Sequence, residues 1–193
     1  MSEIERRAFT VTGMKIETRD GDKKTITGHA AVFNELSQDL GGFREQIAPG
    51  AFKEAIGQDD VRALFNHDPN FLLGRNTSGT LRLKEDDKGL AIEIDPPDTV
   101  AARDLITLME RGDVSQMSFG FSVRPKGQNW AEGDDGEAIR TLTNLRLFDV
   151  SPVVYPAYPQ TDVGVRELRT WNESKKPPPQ TNLIKAKQQM AEI

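Results

Sequence analysis

The sequence predicts an α+β domain: a small antiparallel β-barrel or a strongly curved antiparallel sheet, with a few flanking helices. Two observations carry that expectation. Short segments with a two-residue apolar alternation recur along the chain, and several are joined through Asp/Gly turns as hairpin strands are. About seven such segments stand against one clear helix and one or two short ones, which favours sheet with helices at its margins.

Taken in order, residues 9–16 alternate and are followed by the acidic turn Arg19-Asp20-Gly21-Asp22. Residues 25–33 alternate again, so the two runs predict a hairpin. Residues 35–42 have no period and read as loop. Ala48-Pro49-Gly50-Ala51-Phe52 leads into a short helical segment, residues 53–56, which stops at Gly57. Residues 61–65 form an apolar run with His67 just beyond its end. Leu81-Arg82-Leu83 and Leu90-Ala91-Ile92-Glu93-Ile94 make a second hairpin through Asp86-Asp87-Lys88-Gly89, closed by Pro96-Pro97. Asp98-Thr99 caps the clearest helix, residues 100–111. There Ala101, Leu105 and Leu108 recur at helical spacing beside Ala102, Ile106 and Met109, and Gly112 stands where a left-handed C-cap belongs.

Residues 116–123 read as a strand with Met117, Phe119, Phe121 and Val123 on one face and only Ser118, Gly120 and Ser122 on the other. Residues 138–154 supply one or two more strands, broken near Ser151-Pro152, and Pro156 and Pro159 end the regular part. From Asn172 the composition changes. Lys175-Lys176-Pro177-Pro178-Pro179-Gln180 reads as an extended linker and residues 182–193 as a short polar tail. The folded domain is accordingly placed at residues 1–165 and the flexible, Pro-containing linker and tail at 166–193.

Composition narrows the chemistry. The 25 basic and 30 acidic residues are spread along the chain with no basic patch, which argues against nucleic acid as a partner. No apolar run reaches the ~18 residues of a membrane span, and no signal-peptide pattern is present. Cysteine is absent, so disulfides and thiolate catalysis are excluded. With two histidines far apart in sequence, no metal site and no cofactor are expected. The acidic loop 132–137 lacks the alternating ligands of an EF-hand and reads as a solvated loop.

Three places could carry a reaction. His67, in Asn66-His67-Asp68-Pro69, sits at a strand end where a side chain titrating near neutrality suits general-base work. Alone it reads rather as a surface turn histidine. Ser118 and Gly120 lie on a strand face so small that a substrate backbone or a neighbouring chain could approach; tight packing against a helix is the other reading. Asp149 stands inside an apolar run, and a buried carboxylate needs a partner. Orienting a histidine would satisfy it, and so would an ion pair with Arg146 or Arg44.

The order of these segments resembles the prohead protease family of HK97-like phages. The matching motifs are Gly28-His29-Ala30-Ala31-Val32-Phe33, Glu45-Gln46-Ile47-Ala48-Pro49-Gly50-Ala51-Phe52, Leu64-Phe65-Asn66-His67-Asp68-Pro69, Leu73-Gly74-Arg75, Gly112-Asp113-Val114, Met117-Ser118-Phe119-Gly120-Phe121 and residues 148–158. They cover about residues 8–160.

The resemblance implies a fold like that of the herpesvirus maturation proteases, a small barrel wrapped by helices. It also implies a serine endopeptidase with His67 and Ser118 as its working pair. The herpesvirus enzymes take a second histidine as third member. Here only His29 remains, upstream of His67, so an acid takes that place: Asp149, with Glu45 as the alternative. The implied partners are the major capsid protein or its scaffolding segment, the chain's own C-terminal tail, and other copies of the chain. The implied setting is the assembling prohead in the host cytoplasm. Two other classes compete: a non-catalytic capsid- or scaffold-associated binding module, and a carboxylate hydrolase using Glu45 with Asp149. The latter lacks an aromatic-rich cleft, with two Trp and two Tyr in the chain.

Overall fold

The computed structural model describes residues 4–9, 14–19, 23–155 and 162–176. Along the chain run β1 (Glu5–Phe9), β2 (Lys15–Arg19), β3 (Lys23–Val32), β4 (Phe43–Ile47), α1 (Lys53–Gln58), β5 (Arg62–Phe65) and β6 (Asp68–Arg75). They are followed by β7 (Leu81–Glu85), β8 (Gly89–Ile94), α2 (Val100–Arg111), β9 (Gln116–Val123), β10 (Gln128–Glu132), β11 (Ala138–Leu142), β12 (Leu145–Val153) and α3 (Asp162–Ser174).

The architecture is α+β, mostly sheet, with three α-helices among the described residues. Among the described residues the strands form three open sheets, in the orders β1-β9-β12-β5-β6, β10-β11-β4 and β2-β3-β8-β7. This corrects two expectations. No barrel closes, and the pairing is mixed, because β12 runs parallel to β5 and β11 parallel to β4. Those two pairs join segments distant in sequence, whereas a hairpin signal reports only on neighbours in the chain.

The core explains how β9 is oriented. Met117, Phe119 and Phe121 are fully buried. Phe119 packs edge-on to Phe52 with ring centres 5.6 Å apart, and Phe52 stacks with Phe33. Burying each such side chain is worth roughly 1.5–3 kcal/mol. Three on one face commit the strand's register, so Ser118, Gly120 and Ser122 must face the other way. α2 is built as its sequence predicts. The Thr99 hydroxyl accepts from the Ala102 N–H at 3.3 Å, and Gly112 ends the helix at φ +85°. Its buried positions are Ala102 and Leu105, whereas Ala101 faces out.

Other elements depart from expectation for local reasons. The alternation at 9–16 belongs to no single strand: Phe9 ends β1 and Lys15 begins β2. β12 runs unbroken through Pro152, which pairs with Met117 and whose carbonyl accepts from the Asn66 N–H at 3.0 Å. Proline's missing N–H costs nothing where only the carbonyl is needed.

The boundary at residue 165 falls inside α3. That helix is docked: Trp171 stacks on Trp130 at 5.6 Å, Glu167 bonds Arg140 at 2.5 Å, and Lys175 reaches Glu132 at 2.9 Å. Of the linker and tail placed at 166–193, residues 177–193 lie outside the described residues.

Candidate active site

His67 is held by its backbone. β5 and β6 are joined by Asn66 and His67 alone, at φ +55° and +57°. A two-residue hairpin with positive φ at both positions prefers Asn-Gly, so a histidine in the second place is strained by about 1 kcal/mol or more. The turn is latched to β12, since Asn66 N–H donates to Pro152 and Val154 N–H donates to the Asn66 side-chain oxygen at 2.9 Å. Asp68 steadies the other side by accepting from the Asn70 N–H at 2.9 Å.

Asp149 is aimed by a bulge. β12 pairs antiparallel with β9 in one register through Leu147–Phe121 and in another from Asp149–Gly120 onward, so Phe148 is an extra residue. Leu145 and Leu147 face the core before the bulge and Val150 after it. In unbroken alternation Asp149 would follow Leu147 into the core. The inserted residue turns it onto the face of Ser118 instead. Gly120 makes the space: a methyl group at that position would lie 2.3 Å from Asp149 Oδ2. The close approach that Gly120 signals in sequence is thus to a carboxylate.

These placements bring together His67, Ser118 and Asp149. His67 Nε2 is 2.7 Å from Ser118 Oγ, and His67 Nδ1 is 2.6 Å from Asp149 Oδ1. Ser118 is fully buried, and the His67 and Asp149 side chains are 10% and 11% exposed. With Asp149 ionised, the imidazole carries its proton on Nδ1, and the Nε2 lone pair faces the Ser118 hydroxyl. Such an arrangement can move the hydroxyl proton to the ring while the carboxylate holds the resulting imidazolium. The hydroxyl of Ser151 also donates to Asp149 Oδ1, at 2.6 Å. Sequence reading passed over this residue as the neighbour of a proline, although it alternates with Asp149 on one strand.

Glu45 is elsewhere. It is buried on β4 and bonds Arg7 Nε at 2.7 Å and Arg140 Nη1 at 2.9 Å. His29, on β3, pairs with Asp86 at 2.9 Å. Among the described residues no group of three His, Asp or Glu side chains is placed to hold a metal ion. A cavity of about 950 Å³ over β2, β3 and β7 contains none of the three site residues, and Arg19, Arg82 and Arg103 in it are each paired with an acid.

An imidazole held between a carboxylate and a hydroxyl is an arrangement that serine hydrolases use on unrelated folds. The chain belongs to the caudovirus prohead serine protease family, whose family model matches residues 12–176. It is 30% identical to the prohead protease of Enterobacteria phage HK97, over 87% of this chain and 75% of that protein. Its fold is similar to that of the bacteriophage T4 capsid assembly protease, with a TM-score of 0.54 at 9% identity, covering 78% of this chain and 97% of that one.

Proposed function

We propose that the chain is a serine endopeptidase that cleaves capsid or scaffold segments during phage head maturation, inside the assembling prohead in the host cytoplasm. The observation that carries this is the continuous contact Asp149–His67–Ser118, at 2.6 and 2.7 Å. Membership of the prohead protease family points to the same chemistry.

In this reading His67 Nε2 takes the Ser118 proton as Oγ attacks a peptide carbonyl carbon. A tetrahedral oxyanion forms, and backbone N–H groups stabilise it. The imidazolium then protonates the leaving amine as the C–N bond breaks, leaving an acyl-Ser118 ester. Water, deprotonated by the same ring, hydrolyses the ester and regenerates Ser118. Asp149 holds the ring in the productive tautomer throughout.

The substrates proposed are the major capsid protein or its scaffolding segment, and residues of the chain's own C-terminus. Because α3 is docked through Trp171 and Glu167, self-trimming is expected beyond Lys176. A tethered end is at high effective concentration near neighbouring copies, which favours cleavage between them.

The test is mass spectrometry of the full chain after expression, together with a cleavage assay on the phage's own major capsid protein. Wild type should cleave the capsid protein and lose C-terminal mass on standing, while Ser118→Ala does neither. Equal behaviour of the two would favour a non-catalytic capsid-binding module. Capsid cleavage without trimming would remove only the self-processing part.

A further inference from the structure

We propose that Ser151 is a positioning residue of this site, acting through Asp149. The inference rests on the triad reading above and adds a fourth member to it. Ser151 is fully buried, and its hydroxyl donates to Asp149 Oδ1 at 2.6 Å, the same oxygen that receives His67 Nδ1 at 2.6 Å.

The placement follows from the strand. Past the bulge at Phe148, β12 runs in regular register, with Asp149 opposite Gly120 and Ser151 opposite Ser118. Two residues apart on a strand, Asp149 and Ser151 share a face, and it is the face of the nucleophile. Position 151 is therefore the cross-strand neighbour of Ser118, where a bulky side chain would crowd the reacting hydroxyl. A serine is small enough to avoid this and still brings a donor.

The donor has two consequences. A carboxylate held only by the imidazole can turn about its Cβ–Cγ bond, and Gly120, which makes room for Oδ2, has no side chain to bond it. A second short hydrogen bond to Oδ1 fixes that torsion and so fixes the ring that the oxygen orients. Two donors on one oxygen also require Asp149 to be the acceptor in both bonds. The proton between Asp149 and His67 then sits on Nδ1, and Nε2 is left free to accept from Ser118.

The experiment uses the full chain and two readouts: cleavage of the phage's own major capsid protein, and the rate at which a small fluorophosphonate labels Ser118. The labelling end-point counts competent sites, so rates are expressed per competent site. Ser151→Ala should lower both kcat and the labelling rate about tenfold, with KM within about twofold, as expected for losing a hydrogen bond to a charged group. In an Asp149→Asn background the same substitution should have little further effect, because the pathway through Asp149 is already broken.

Unchanged rates per competent site in Ser151→Ala would overturn the proposal, and so would a loss that adds in full to that of Asp149→Asn. A variant that merely folds poorly shows fewer labelled sites at wild-type rate, which also counts against it. Failure of the underlying reading looks different: Ser118→Ala would still cleave, or the label would be found on another residue.

Discussion

Two buried polar networks lie on opposite faces of β9, and they are built on opposite principles. On the Ser118 face are one carboxylate, one imidazole and two hydroxyls, joined in a line by bonds of 2.6, 2.7 and 2.6 Å. On the Phe119 and Phe121 face, Glu5, Arg7, Glu45 and Arg140 are packed together, with Glu167 of α3 at the edge. Arg7 lies over the Phe121 ring at 5.5 Å.

In the second cluster every acid bonds an arginine. Burial would raise the Glu5 carboxyl, but Arg140 and Arg7 outweigh it and hold it below the usual carboxylate range. Arg140, despite burial that would lower it, is driven further up by Glu5, Glu45 and Glu167. A network whose cations never release their protons can only hold strands together. A network centred on a histidine and a hydroxyl can pass a proton. The difference favours Asp149 over Glu45 as the proposed third member: Glu45 is committed to arginines, and Asp149 faces the imidazole.

The largest expected effect separates the two networks outright. Ser118→Ala and His67→Ala should reduce kcat by roughly 10⁶-fold, and Asp149→Asn by roughly 10⁴-fold, with little change in Tm. Glu45→Gln should do the reverse: a stability loss of about 3 kcal/mol, at the lower end for a broken buried ion pair because Glu5 still bonds both arginines, with kcat per folded molecule near wild type. Cleavage assays paired with thermal melts read both columns. A Glu45→Gln protein that melts normally but has lost turnover would exchange the roles assigned to the two networks.

A smaller effect probes the space that the first network needs. Gly120→Ala puts a methyl group 2.3 Å from Asp149 Oδ2 and 3.3 Å from its Cγ, so the carboxylate must move. A displacement on the scale of 1 Å is enough to cost about 100-fold in rate. Turnover should fall by that order, and most of the fall should vanish when Asp149→Asn is already present. Additive losses would mean that Gly120 matters for folding alone.

The same contrast explains what was legible in the sequence. His67, Ser118 and Asp149 were each marked as a candidate by a local pattern, a strand end, a face of small residues and an acid among apolar neighbours, and the order of the family motifs was needed to join them. α2 was legible from local pattern alone, since its Thr99 cap and Gly112 terminator lie within the segment itself. The arginine cluster was not legible. β1 reads Glu-Arg-Arg and looks solvated, yet Glu5 and Arg7 are buried because their partners come from β4 and β11, far along the chain. α3 was missed likewise. Its anchors Glu167 and Trp171 matter only beside Arg140 and Trp130, and nothing nearby in sequence announces that contact. The bulge at Phe148 lay between: the apolar phase shifts from 145 and 147 to 150, but the shift carries meaning only against the register of β9.

The smallest effect expected is the share of the pH dependence of stability that the second network contributes. Glu5 has a folded-state pKa below its unfolded value, which is about 4.3 for a glutamate. A depressed carboxylate contributes stability that is fully present above its unfolded pKa and is lost as pH falls through the folded one. From neutrality down to about pH 4.5 this contribution should therefore be constant, and below that it should shrink as Glu5 takes up a proton beside Arg7 and Arg140. Asp60, held at about 2 by Arg75 and Arg62, is lost over the same acid range, so wild type alone cannot separate the two. Glu5→Gln separates them. Its Tm should be lower than wild type at neutral pH, and the gap should close as pH falls toward 3, because a protonated glutamate and a glutamine are equally neutral neighbours for the two arginines. Thermal melts from pH 7 to 3 measure that gap, and a constant difference across the range would mean that the Glu5 carboxylate is not what ties β1 to the arginines.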